Sequence, residues 1–132
     1  CNTGLPLIDQ IRAALQAEKY PLFVAEGTAS QKMSRIIRSS FLGRAYRAFE
    51  NIGGAVFAYG LSFGDSDDHV VRAITRNKVR HLVVSLFGQP DSDANRALIA
   101  KVESIRSART AQGTRRTLDV TYFDAASARV WG

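Results

Sequence analysis

The chain has 132 residues, 45% of them hydrophobic and 23% charged, with a net charge of +6. That length and composition fit one soluble domain with a single core, and no apolar run approaches the roughly 20 residues a membrane span needs. The one cysteine, Cys1, excludes an internal disulfide and a thiolate metal cage.

With no basic leader and apolar stretch at the start, that cysteine usage points to a reducing, cytoplasmic setting. The only methionine is Met33, so residues 1–132 are read as a single domain forming the C-terminal part of a longer protein. Residues upstream would then contribute to any active site. The positive charge favours anionic ligands without choosing among nucleotides, nucleic acid and acidic partners.

In chain order, Leu7, Ile8, Ile11 and Leu15 make an apolar helical stripe after Pro6, and Leu22 to Ala25 form a short buried strand after Tyr20-Pro21. A long helical region follows the Glu26-Gly27-Thr28 turn. Met33, Ile36 and Ile37 share one face, and Leu42, Ala45, Tyr46 and Phe49 share another. Ser39, Ser40 and Gly43 lie at the join, which predicts two helices or one bent one. Gly53-Gly54 ends the region. Ala55 to Tyr59 is a continuous apolar run, the pattern of a strand covered on both faces.

Gly60 to Gly64 form a loop, and Asp65 or Ser66 caps a helix burying Val70, Val71 and Ile74. His81 to Phe87 is the next strand. After a turn at 88–90, Asp91 or Ser92 caps a helix with Ala94, Leu98, Val102 and Ile105 inward. Thr110 to Arg116 is a polar loop, Leu118 to Phe123 a last strand, and Asp124 caps a short closing helix. Strands alternating with helices require crossover connections. The expected fold is therefore α/β, a Rossmann-like three-layer sandwich with a mostly parallel sheet of about four strands.

Ligands of open α/β sheets bind beyond the carboxyl ends of the strands. The loops there are Glu26-Gly27-Thr28, Gly60 to Asp65 and Gly88 to Asp91. Glycine lets backbone approach a ligand closely, Ser62 offers a hydroxyl, and Asp65 a carboxylate suited to ribose hydroxyls. Asp65, Asp67 and Asp68 crowd one helix start and would repel a phosphate, which favours a ribose or adenine contact there. Burial would raise the pKa of Glu26, at its strand end, into the general-acid range.

Gly60-Leu61-Ser62-Phe63-Gly64 also matches the serine-hydrolase elbow, but no histidine follows Asp124 to complete a triad. Neither His69 nor His81 has metal-ligand spacing, so no metal is expected. Lys32, Arg35 and Arg38, then Arg44 and Arg47, line helix faces opposite the apolar ones. Arg76, Lys78 and Arg80 form a further basic cluster, and Arg106, Arg109, Arg115 and Arg116 another. These faces are the basis of an alternative reading, a non-catalytic module binding nucleic acid or protein.

The order Pro21-Leu22-Phe23-Val24-Ala25-Glu26-Gly27-Thr28, Gln31-Lys32, Phe41-Leu42 and Gly60-Leu61-Ser62-Phe63-Gly64-Asp65 resembles a prokaryotic family of unknown function. That family is itself similar to the C-terminal half of sirtuin-like NAD-binding domains. The resemblance implies an uncharacterised sirtuin-like domain that binds or hydrolyses NAD or a related nucleotide, with NAD glycohydrolase-like activity needing upstream residues. It carries an adenosine-side role to Gly60 and Ser62, with Asp65 as the following acidic residue of a ribose pocket, and places Glu26, Gly27 and Thr28 at the reacting end. Sirtuin-like NAD hydrolases have a catalytic histidine before a glycine at a strand end. Here Glu26 precedes Gly27, and the phosphate loop of those domains has no counterpart in the chain.

Overall fold

A computed structural model of the chain describes residues 27–113 and 117–130, with Asp9, Arg12, Ala13 and Gln16. The expected stripe at Leu7, Ile8, Ile11 and Leu15, the strand Leu22 to Ala25, and Glu26, Arg115 and Arg116 lie outside the described residues.

The long helical region divides in two. α1 spans Ala29–Arg38 and α2 spans Ser40–Asn51, parted by one extended residue, Ser39 (φ −96°, ψ 119°). The join arises from side-chain competition. The Ser39 hydroxyl accepts from the Leu42 backbone N–H, ending one helix and capping the next. α1 begins with a reciprocal cap, in which Thr28 accepts from the Gln31 backbone N–H while the Gln31 side chain accepts from that of Thr28.

Three strands follow: β1 (Gly53–Ala58), β2 (Lys78–Leu86) and β3 (Asp119–Asp124). They form one sheet in the order β1-β2-β3, with β2 parallel to both neighbours. α3 (Asp68–Arg76) connects β1 to β2, and α4 (Asp93–Thr110) connects β2 to β3. A parallel sheet flanked by helices is the Rossmann-like α/β arrangement the alternating pattern predicts. Two strands begin earlier than that pattern suggests. Gly53 and Gly54 already pair with Lys78 and Val79, and a bulge between Gly54 and Ala55 admits the positive φ of Gly54 (77°).

A sheet that adds strands in one direction through right-handed crossovers places both crossover helices on the same face. The core forms there. Ala58, Leu82 and Val84 pack with Ile74 of α3, Val102 and Ile105 of α4, and Leu118 beside β3. The opposite face of β1 is open. Ala55 is exposed and Phe57 is 73% exposed, so the expectation that this strand is covered on both faces is corrected among the described residues.

The expectations for the helices over 68–76 and 93–110 also need correction in part. Val70 and Val71 are half-buried beside buried Ala73 and Ile74, and Ala94 faces solvent while Asn95 is buried. Lys32 and Arg109 do not belong to basic surfaces; both are buried.

Arg109, 2% exposed, ends the inward stripe Val102-Ile105-Arg109 of α4. Its guanidinium donates to the Ile74 carbonyl at 2.7 Å, the Asn77 side-chain oxygen at 3.1 Å and the Val79 carbonyl at 2.6 Å. The Ile74 carbonyl belongs to the last turn of α3, where a cation complements the helix dipole. One buried cation thus joins the ends of α3 and α4 to the start of β2. Arg109→Leu removes this donor from the enclosed Ile74 and Val79 carbonyls, while Asn77 Oδ1 keeps the Val79 N–H, at a cost of about 3 kcal/mol in urea unfolding. Arg109→Lys, lacking the planar fork, should recover less than half of the loss. A loss below about 1 kcal/mol for Arg109→Leu, the ordinary size of a point-mutation effect, would contradict this role.

Candidate functional site

All three strands end at one edge, and a cleft of about 280 Å³ opens there. The loop after β1 supplies Tyr59, Gly60, Leu61 and Ser62. The end of β2 supplies Ser85 and Phe87, the first turns of α4 supply Asn95 and Leu98, and Ala125 follows β3. Hydrogen bonds tie the three strand ends together. Gly60 N–H donates to Ser85 Oγ at 3.1 Å, and Tyr59 Oη donates to the Ala125 carbonyl at 3.4 Å.

The Gly60-to-Gly64 turn is built from two left-handed residues. Gly60 has φ 67°, which glycine adopts without strain. Phe63 has φ 53°, uncommon for a bulky side chain and held here by its 1% exposed ring within the core. With Phe63 turned inward, Ser62 is exposed at the cleft. Its Oγ accepts from Gly64 N–H at 3.3 Å and keeps its own proton for another acceptor. Neither histidine serves Ser62: His81 Nε2 pairs with Thr121 Oγ1 at 2.8 Å, and His69 Nδ1 is buried without a partner.

Gly60 and Ser62 therefore meet at the cleft, whereas Asp65 stands beside it. Asp65 is fully exposed and lies 3.3 Å from Lys101 Nζ. The acidic crowding at this helix start is offset residue by residue, since Asp67 pairs with Lys32 at 2.9 Å and Asp68 with Arg72 at 3.1 Å. The Lys32–Asp67 pair is largely buried and holds the 65–67 turn against α1; it is also why Asp67 makes no cap hydrogen bond to α3. Gly27 (φ 107°) and Thr28 shape the start of α1 and do not line the cleft. Glu26 lies outside the described residues, and among the described residues none that lines the cleft is acidic or a histidine.

Sequence reasoning missed Tyr59, Ser85, Phe87 and Asn95. Ser85 carries a signal, a lone hydroxyl within the apolar run Val83-Val84-Ser85-Leu86. Asn95 carries another, a polar residue three positions after the capping Ser92, where an inward side chain belongs. The Asn95 amide donates both protons, to the Phe87 carbonyl at 3.0 Å and to the Gln89 carbonyl at 2.7 Å, and so clamps the loop after β2.

A second cleft, of about 490 Å³, lies between α1, α2 and α3, with Ser30, Met33, Tyr46, Glu50, His69, Arg72 and Arg76 on its walls. Tyr46 Oη donates to the His69 carbonyl at 2.8 Å. Burial lowers the His69 pKa, and the nearby Lys32 cation lowers it further. Burial, then Glu50, raises that of Tyr46. Among the described residues no group of three His, Cys, Asp or Glu side chains gathers closely enough to hold a metal ion.

The fold and the cleft define an α/β protein with a parallel sheet and a ligand-sized opening at its carboxyl edge. The family model described as Domain of unknown function (DUF4917) matches residues 1–131, and the chain belongs to that family. Comparison with curated proteins and with solved structures gives no match. Nothing in these comparisons links the chain to sirtuin-like domains.

The His69 shift has a thermodynamic consequence. A histidine whose pKa is lower in the folded than in the unfolded chain adds stability in full above about pH 6.5, the unfolded value. That stability is lost as the pH falls through the folded value. Urea unfolding from pH 8 to pH 5 should show native stability declining below about 6.5, and His69→Gln should reduce that decline. An identical decline in the variant, or a rise in stability on acidification that His69→Gln abolishes, would contradict the assignment.

Proposed function

We propose that the cleft at the carboxyl edge of the sheet binds NAD or a related nucleotide, as a sirtuin-like domain would, with Gly60 and Ser62 against the ribose. The observation that carries this reading is the convergence of the three parallel strand ends on one opening, the position at which α/β sheets take their ligands. At Gly60 a Cβ would meet nothing within 4 Å, so the backbone lies open to a close-approaching group. The Ser62 hydroxyl has a proton to donate to a ribose oxygen. Pairing of Asp65, Asp67 and Asp68 with Lys101, Lys32 and Arg72 removes most of the repulsion that three carboxylates would exert on a nucleotide.

Among the described residues, those lining the cleft include no carboxylate or histidine. A nicotinamide–ribose hydrolysis step would fall to Glu26, orienting the attacking water. The alternative of a basic nucleic-acid surface keeps exposed Arg35, Arg38, Arg44 and Arg47 but loses Lys32 and Arg109 to the interior.

Isothermal titration calorimetry with NAD and ADP-ribose tests the reading. Ser62→Ala should weaken binding by roughly five- to tenfold, the worth of one hydrogen bond, with little change in Tm. Absence of binding by wild type at millimolar ligand, or full affinity in Ser62→Ala, would refute it.

A further inference from the structure

The cleft has a fixed polar feature that a ribose contact leaves unused. Both Asn95 amide protons are committed, to the carbonyls of Phe87 and Gln89, which settles the orientation of the side chain. Its Oδ1 accepts no hydrogen bond from the described residues, and it is not among the enclosed polar atoms that lack a partner. Asn95 is only 5% exposed yet lines the cleft. The cleft wall therefore presents an acceptor that cannot turn into a donor without releasing two main-chain carbonyls.

The same wall is apolar and aromatic. Leu61 and Leu98 are half-buried in it, and Phe87, 83% exposed, and Tyr59 also line it. Among the described residues the ring pair formed is Tyr46 with His69, so the Phe87 ring is not covered by another. Burying a phenylalanine face is favourable and leaving it in water forgoes that gain. A flat heterocycle entering the cleft would cover the ring and bring its edge towards Asn95. The volume, about 280 Å³, is at the lower end of small-molecule sites and suits one nucleoside rather than a whole dinucleotide.

We propose that this cleft selects a 6-aminopurine, the adenine end of the nucleotide. The base stacks on Phe87, and its exocyclic amine donates to Asn95 Oδ1. This rests on the nucleotide reading above and adds to it a discrimination that a ribose contact does not supply. A 6-oxopurine would set a carbonyl oxygen against the Asn95 oxygen, leaving two acceptors face to face. A site built to receive a donor rejects the analogue that lacks one, because its own polar group is left unpaired.

The test compares adenosine with inosine on the full 132-residue chain by calorimetry, alongside NAD, ADP-ribose and ribose 5-phosphate. Wild type should bind adenosine at least about tenfold more tightly than inosine. Phe87→Ala removes an exposed ring, so the fold should keep its Tm. It should weaken adenosine by roughly five- to a hundredfold and ribose 5-phosphate by less than about twofold. Equal affinity for adenosine and inosine, or an unchanged adenosine affinity in Phe87→Ala, would overturn the adenine assignment while nucleotide binding stands. Failure of NAD, ADP-ribose and adenosine alike to bind wild type would overturn both.

Discussion

Parallel pairing of β2 with both neighbours is the constraint from which the rest of the molecule follows. It obliges each connection to cross from one end of the sheet to the other, which α3 and α4 do. Because the strands are added in one direction, the core lies on one face and all three carboxyl ends come to one edge. The opposite ends of α3 and α4 must then be secured against the start of β2. Arg109 does this through three oxygens from two elements and the turn between them. The guanidinium is buried there with the Ile74 and Val79 carbonyls and Asn77 as acceptors, and the end of α3 supplies favourable potential.

At the carboxyl edge the chemistry is different. The loops are held by hydrogen bonds with side chains inside the cleft: Gly60 N–H donates to Ser85 Oγ, and the Asn95 amide donates to the Phe87 and Gln89 carbonyls. Lys32 and Asp67 anchor the far side of the 60–67 loop to α1. The residues that hold the cleft open also line it. A buried charge pair stabilises only when both partners are present, so this anchor is sensitive to losing either one.

Much of this architecture was legible in the chain. The alternation of apolar strand runs with amphipathic helices predicted the α/β class, and Ser39, Ser40 and Gly43 in the long helical region predicted two helices or one bent one, of which the structure shows two. Gly60 and Ser62 were legible as residues of the carboxyl edge because a glycine and a hydroxyl follow an apolar strand run, and both line the cleft. Asn95 and Arg109 were not, since polar residues in a helix are ordinarily assigned to its solvated face. Only tertiary packing shows that these two point inward and satisfy carbonyls from other elements. Lys32 misled for the same reason, as its spacing with Arg35 and Arg38 suggested a basic surface while its partner lay 35 residues away. The apolar run of β1 suggested cover on both faces, because periodicity reports that a strand is apolar and does not say which neighbours it has.

We propose that ligand binds at the carboxyl edge of the sheet and not in the larger cleft between the helices. Mapping of backbone amide chemical shifts on titration with ADP-ribose tests it most directly. Saturable shifts are expected at residues 59–64, 85–89, 95–98 and 125, with Ser30, Glu50 and Arg72 unmoved. Shifts centred on the α1–α2–α3 cleft, or none at saturating ligand, would contradict it.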